Sequence, residues 1–156
     1  MQPRLYLGAQ GGVKMPSYMP QATTDQWATP QSLFNEWDSK YNFDLDPAAS
    51  SSNHKCDNWY GLDHPDPDRR DGLAATWSAS AVWLNPPYGR PIADWTKKAY
   101  DSNLLTVLLL PVRTDTRWFH DYCKQFEITF IRGRLKFGDS KSSAPFPSMV
   151  VVMGKR

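Results

Sequence analysis

Apolar positions fall into short blocks along the chain, separated by longer stretches of polar and turn-forming residues. Leu33, Phe34 and Trp37 recur at helical spacing behind Thr29-Pro30. A threonine able to cap, followed by a proline suited to the first helical position, predicts a helix starting at Thr29. In Tyr41–Pro47, Phe43 and Leu45 alternate with Asp44 and Asp46, the period of a short strand that ends in a turn. Ala81–Leu84 is an apolar run stopped by Asn85-Pro86-Pro87, which predicts a buried strand with a proline-locked exit. From Pro91 to about Tyr100, Ile92, Trp95 and Ala99 share one helical face. Leu104–Leu110 (LLTVLLL) has the pattern of a parallel strand covered on both faces. Thr114 or Asp115 then caps another helix, with Trp118, Phe119 and Tyr122 inward, and Glu127–Ile131 and Ser148–Met153 read as the last two strands.

Strands alternating with helices imply an α/β fold. No helical pattern separates the last two strands, so they form an antiparallel hairpin and the sheet is mixed. Residues 1–24 read as a flexible arm, because Gly8, Gly11, Gly12, Pro16 and Pro20 break any period. Residues 25–156 are left for a single domain, in which 48–80 is polar and mostly loop, with at most one short helix.

Composition narrows the class only slightly. The chain has 156 residues, 40% of them apolar, enough for one ordinary core. Seven tryptophans are many, and most of them fill that core. A net charge of +2 excludes a strongly basic protein, so any contact with nucleic acid has to come from a local patch. Cys56 and Cys123 form neither a disulfide framework nor a zinc ribbon, even with His54 and His120 nearby in sequence, and no metal is expected. No apolar run reaches membrane-spanning length, which makes a soluble protein of a reducing cytoplasm the expectation.

Asn85-Pro86-Pro87-Tyr88 carries the chemistry. In open α/β sheets ligands bind beyond the carboxyl ends of the strands. The two prolines fix φ and remove two backbone donors, leaving carbonyls free to accept. Asn85 adds a side-chain carbonyl and Tyr88 a ring. An acceptor-lined slot with a stacking surface suits an aromatic amine. Acceptors on the hydrogens of the N6 amine of adenine would shift electron density back to its nitrogen. An asparagine and a tyrosine after a Pro-Pro turn could also be incidental, so the surrounding blocks matter.

Those blocks are Trp27-Ala28-Thr29-Pro30-Gln31 with Leu33-Phe34, Phe43-Asp44-Leu45-Asp46-Pro47-Ala48-Ala49, Asn53 and Cys56, Asp71-Gly72-Leu73 with Trp77, and Trp83-Leu84-Asn85-Pro86-Pro87-Tyr88. They continue in Pro111, Thr114 and Trp118-Phe119, then Ile131-Arg132-Gly133-Arg134-Leu135-Lys136-Phe137 and Pro145-Phe146-Pro147-Ser148. In this order and spacing the chain, from about Asp25 to Val152, resembles the phage and prophage Dam-like DNA N6-adenine methyltransferases. The resemblance implies a Rossmann-like fold, S-adenosylmethionine as methyl donor, and Asn85, Pro86, Pro87 and Tyr88 as the catalytic motif. It implies cofactor contacts from Trp27, Thr29 and Pro30 on the N-terminal side, from Asp44, Asp46, Pro47 and Ala48 after the first strand, and from Asp71 and Asn85. Ala48-Ala49-Ser50 stands where many relatives have a glycine-rich turn. The sequence therefore leaves open which of Asp44 and Asp46 faces the positively charged donor, and whether Asp71 and Thr29 do more than make a turn and a cap.

Arg132, Arg134 and Lys136, if on a strand, point to one face, with Lys141 in the loop that follows. This is the candidate DNA-binding patch, although basic residues also protect edge strands. The expected partner is double-stranded DNA with its target adenine flipped out. Site readout would fall to short loops such as 57–70 and 138–147, or to a second copy. The family label suggests GATC, and a phage setting suggests protection from restriction. Two alternatives remain at this stage: an amino-methyltransferase acting on RNA or protein, and a non-catalytic DNA-binding accessory protein of the same fold.

Overall fold

The computed structural model describes residues 27–138 and 141–154; the expected arm over 1–24 lies outside them. The described chain is α/β. Four strands, β1 (Ala81–Leu84), β2 (Leu105–Pro111), β3 (Glu127–Phe130) and β4 (Ser148–Met153), form a mixed sheet in the order β1-β2-β4-β3. β1 and β2 run parallel, with Val82 opposite Thr106. β4 is antiparallel to both β2 and β3, with Leu108 and Ile128 each opposite Val151. The expected terminal hairpin and mixed sheet are therefore present.

Burial explains this order. Every residue of β1 and β4 is buried, and so is every residue of β2 after Leu105. Each Leu or Val withdrawn from water contributes about 1.5–3 kcal/mol, so the longest apolar runs take the centre. β3 lies at the edge, with Phe130 60% exposed.

Two helices flank the sheet. α1 (Gln31–Tyr41) buries Phe34 and Trp37, and Phe34 and Phe43 both pack against Trp83 at ring centroid distances of 5.4 Å. α2 (Ile92–Ser102) connects β1 to β2 and buries Ile92, Trp95, Thr96 and Ala99. The polar stretch between them contains one 3-10 turn, Pro67–Arg69, begun by Asp66, whose carboxylate accepts from the Asp68 amide at 2.9 Å.

Four expectations change. Thr29 does not cap α1: Pro30 occupies the cap position, its carbonyl takes the Phe34 amide at 3.1 Å, and the Thr29 hydroxyl is engaged elsewhere. Residues 41–47 do not form a full strand. Leu45 makes a single parallel bridge to Val82, and Asp46 makes one to Trp59, because the chain turns away after two residues of pairing. The helix expected from Thr114 or Asp115 shrinks to a short helix that includes a π turn, Phe119–Cys123. Thr116, not Thr114 or Asp115, accepts from the Phe119 amide, at 3.3 Å. β3 stops at Phe130, and Gly133 follows with φ +77°, so Arg132, Arg134 and Lys136 do not share a strand face.

Candidate active site

A cavity of about 610 Å³ opens where two parallel segments end side by side. One is the extended stretch that closes at Asp46; the other is β1, which closes at Leu84. This is where an open α/β sheet places its ligand. The residues after each end, Asp46-Pro47-Ala48 and Asn85-Pro86-Pro87, line the cavity. Trp27, Thr29 and Asp71 line it too.

Asn85 is the most closely defined group. Its amide nitrogen donates to the Trp27 carbonyl and, at 3.0 Å, to the Thr29 hydroxyl. A backbone carbonyl can only accept, so the nitrogen has to face this way. The amide oxygen is left buried and without a partner. A buried, unmet acceptor is costly, which makes it a ready acceptor for an N–H donor that enters the cavity.

Asp46 is 4% exposed. One of its carboxylate oxygens accepts the Lys55 amide at 2.8 Å. Burial pushes its pKa up to about 6, against the opposing pull of the Lys55 and Ala48 amides. Among the described residues no cationic nitrogen lies within ion-pair distance of it. The Lys55 ammonium instead donates to Gln31 at 2.9 Å, and burial lowers its pKa.

Asp71 uses one oxygen to accept the Leu73 and Ala74 amides, at 3.1 and 3.0 Å, so it does make the turn. The missing glycine-rich turn at 48–50 is compensated from outside. A Cβ on Gly72 would stand 2.0 Å from the Pro47 carbonyl oxygen, and one on Gly61 would stand 2.1 Å from that of Ala49. The loop after Asp46 thus lies against two glycine backbones.

Three expected site residues lie off the cavity lining. The Asp44 carboxylate accepts the Ser80 and Ala81 amides, at 3.0 and 2.9 Å, and so ties down the start of β1. Pro30 starts α1. Tyr88 is buried, donates its hydroxyl to the Leu109 carbonyl at 2.9 Å, and meets Phe146 and Phe137 edge-on at 5.6 and 6.3 Å. Burial raises its pKa well above the ordinary tyrosine value.

The basic residues Arg132, Arg134, Lys136 and Lys141 are exposed on the connection between β3 and β4. That connection is tied to the cavity rim. The Gly138 amide donates to the Ala28 carbonyl at 2.9 Å, and Phe137 and Phe146 pack edge-on against Trp27 at 5.4 and 5.2 Å. Sequence reading missed Lys55, Tyr60, Gly61, Gly72 and Trp95 as cavity residues. Only the two glycines in an otherwise polar stretch gave a signal.

A family model described as DNA N-6-adenine-methyltransferase (Dam) matches residues 16–154. The chain belongs to that family. The DNA N-6-adenine-methyltransferase of Haemophilus phage HP1 (strain HP1c1) is 31% identical over 141 residues, 82% of this chain and 78% of that one. The DNA N-6-adenine-methyltransferase of Escherichia phage T1 is 35% identical over 105 residues, 64% of this chain and only 41% of that protein. By family the chain is an enzyme, a DNA N6-adenine methyltransferase, as the sequence resemblance implied. No helix among the described residues is long and apolar enough to cross a membrane.

Proposed function

We propose that this chain transfers a methyl group from S-adenosylmethionine to the N6 amine of an adenine in double-stranded DNA, on a Rossmann-like fold. The observation that carries the reading is the Asn85 amide, turned by Trp27 and Thr29 so that its buried oxygen lacks only a donor. The parallel pairing of the 43–46 stretch, β1 and β2, with α2 between the last two, supports the fold.

The cavity suits the cofactor. Its volume falls within the usual range for small-molecule sites. Asp46 offers a buried carboxylate that makes no direct ion pair among the described residues, with Lys55 and His54 acting on it only at longer range, matched to a ligand with positive charge. Asp71 keeps its second oxygen for a donor, and Pro47, Ala48 and Trp95 supply apolar walls. S-adenosylmethionine supplies an electrophilic methyl group.

The target base has to leave the duplex to bring N6 into this cavity. Asn85 Oδ1 and the Pro86 carbonyl accept the two N6 hydrogens, which localises the nitrogen lone pair and aims it along the line of attack. Alignment and preorganised acceptors supply the rate. The extra proton on N6 then passes to water. No enzyme nucleophile takes part: burial raises the Cys56 and Cys123 thiols to about 12 and keeps them protonated. Stacking of the base on Tyr88 requires Phe137 and Phe146 to draw back, and both lie on the connection that carries the basic residues. Arg132, Arg134, Lys136 and Lys141 meet phosphates there.

The test is to incubate unmethylated DNA with the protein and S-adenosylmethionine and to digest it to nucleosides. N6-methyladenine is the expected product. N4-methylcytosine, or methyl transfer only to RNA or protein, would replace this reading with another amine.

A further inference from the structure

Among the described residues, three buried side-chain polar atoms lack a hydrogen-bond partner. Two belong to residues that line the cavity: the Asn85 amide oxygen and the Trp27 indole N–H. The residues touch, since the Asn85 amide nitrogen donates to the Trp27 carbonyl. An acceptor and a donor on adjoining residues are thus both withheld from water.

The reaction as described uses only the acceptor. A phenylalanine at position 27 would keep the edge-on contacts with Phe137 and Phe146 and would bury no unmet donor. The indole N–H therefore calls for an acceptor on a ligand.

We propose that Trp27 Nε1 donates to a ring nitrogen beside the amino group of the target adenine, so that Trp27 and Asn85 together read the base edge. This rests on the reading of the site as an N6-adenine methyltransferase. Adenine presents an amino donor next to a ring acceptor, N1 on one side and N7 on the other. Guanine and thymine carry a carbonyl in place of the amine. Their oxygen would meet Asn85 Oδ1 acceptor to acceptor; on the N1 side their adjacent N–H would also meet the indole donor to donor, whereas on the N7 side guanine keeps the acceptor and thymine presents its methyl group. Trp27 is then a specificity-determining residue for amino bases over keto bases; cytosine, with its N4 amine beside the acceptor N3, presents the same pair.

The rival acceptor is the carboxylate of the cofactor. The surroundings favour the base. Trp27 sits among Phe137 and Phe146, the same rings that flank Tyr88, a setting for a flat neutral ring and a poor one for a carboxylate. The charged groups that line the cavity, Asp46, Lys55, Asp63, Arg70 and Asp71, all come from the 46–71 stretch, a different segment.

The experiment compares wild type with Trp27→Phe in single-turnover methyl transfer. The duplexes carry adenine, 1-deazaadenine or 7-deazaadenine at a position that the wild type methylates, and cofactor affinity is measured by calorimetry. Trp27→Phe is expected to slow transfer to adenine roughly ten-fold with unchanged cofactor affinity. One deaza analogue should slow the wild type similarly, and the two changes together should cost no more than either alone. Replacement of Trp27 by benzothienylalanine, which removes the N–H but keeps the ring shape, repeats the comparison without disturbing the fold. Weakened cofactor binding in either variant would assign the donor to the cofactor and overturn the proposal. Losses that multiply would make the indole purely structural. A wild type that methylates no DNA would instead overturn the underlying reading.

Discussion

The Asn85 amide nitrogen and the Thr29 hydroxyl meet at 3.0 Å, 56 residues apart in sequence. This bond and the one to the Trp27 carbonyl decide which face of the amide the cavity receives. In the proposed reaction Thr29 is a positioning residue that would act on the base through Asn85.

Thr29→Ala is expected to slow methyl transfer about ten-fold, the equivalent of one hydrogen bond of about 1.4 kcal/mol. Thr29→Ser keeps the hydroxyl and should restore most of the rate. Single-turnover rates at saturating cofactor separate this from a loss of folding, since Ser and Ala differ little in packing here.

Asp46 gives the site a pH signature. Its pKa of about 6 lies above the ordinary 3.8, so between those values the folded protein holds a proton that the unfolded chain has lost. Stability of the ligand-free protein should therefore fall as pH rises through that window, and Asp46→Asn should remove the fall. A positively charged ligand favours the ionised carboxylate, so S-adenosylmethionine should bind more tightly as pH rises through about 6. Calorimetric titrations below and above that pH check this, and equal affinities would take Asp46 out of the cofactor site.

Gly72→Ala should reduce both stability and cofactor affinity, because its Cβ would overlap the Pro47 carbonyl oxygen at 2.0 Å. Overpacking of this kind costs about 1–3 kcal/mol. Thermal unfolding with and without cofactor reads both effects. An unaltered protein would mean that the loop after Asp46 is free to shift.

The site motif was legible where its causes are local. An apolar run ended by two prolines specifies a buried strand and its exit, and Asn85 was placed by that alone. What was not legible depends on distant partners. Thr29 looks like a cap until Asn85 is brought to it, and Asp44 looks like a ligand until the Ser80 and Ala81 amides take its carboxylate. The 41–47 stretch has strand periodicity but pairs at only one position with β1, since Trp59 draws Asp46 aside. Gly133 was the local warning against a strand through Arg132–Lys136.

Arg134→Ala and Lys136→Ala should weaken DNA binding uniformly across sequences and leave cofactor affinity unchanged. Each lost phosphate contact should lower the slope of log affinity against log salt by about 0.9. Filter binding over a salt series measures it. An unchanged slope would place the DNA elsewhere on the surface.

The most direct measurement is transfer of labelled methyl from S-adenosylmethionine to unmethylated DNA by wild type and by Asn85→Ala, with nucleoside analysis of the product and cofactor binding checked in both. N6-methyladenine from the wild type, and a loss of at least about a hundred-fold in a folded, cofactor-binding Asn85→Ala, is the expected result. Equal methylation by the two proteins would contradict the assignment of Asn85 as the acceptor that activates the amine.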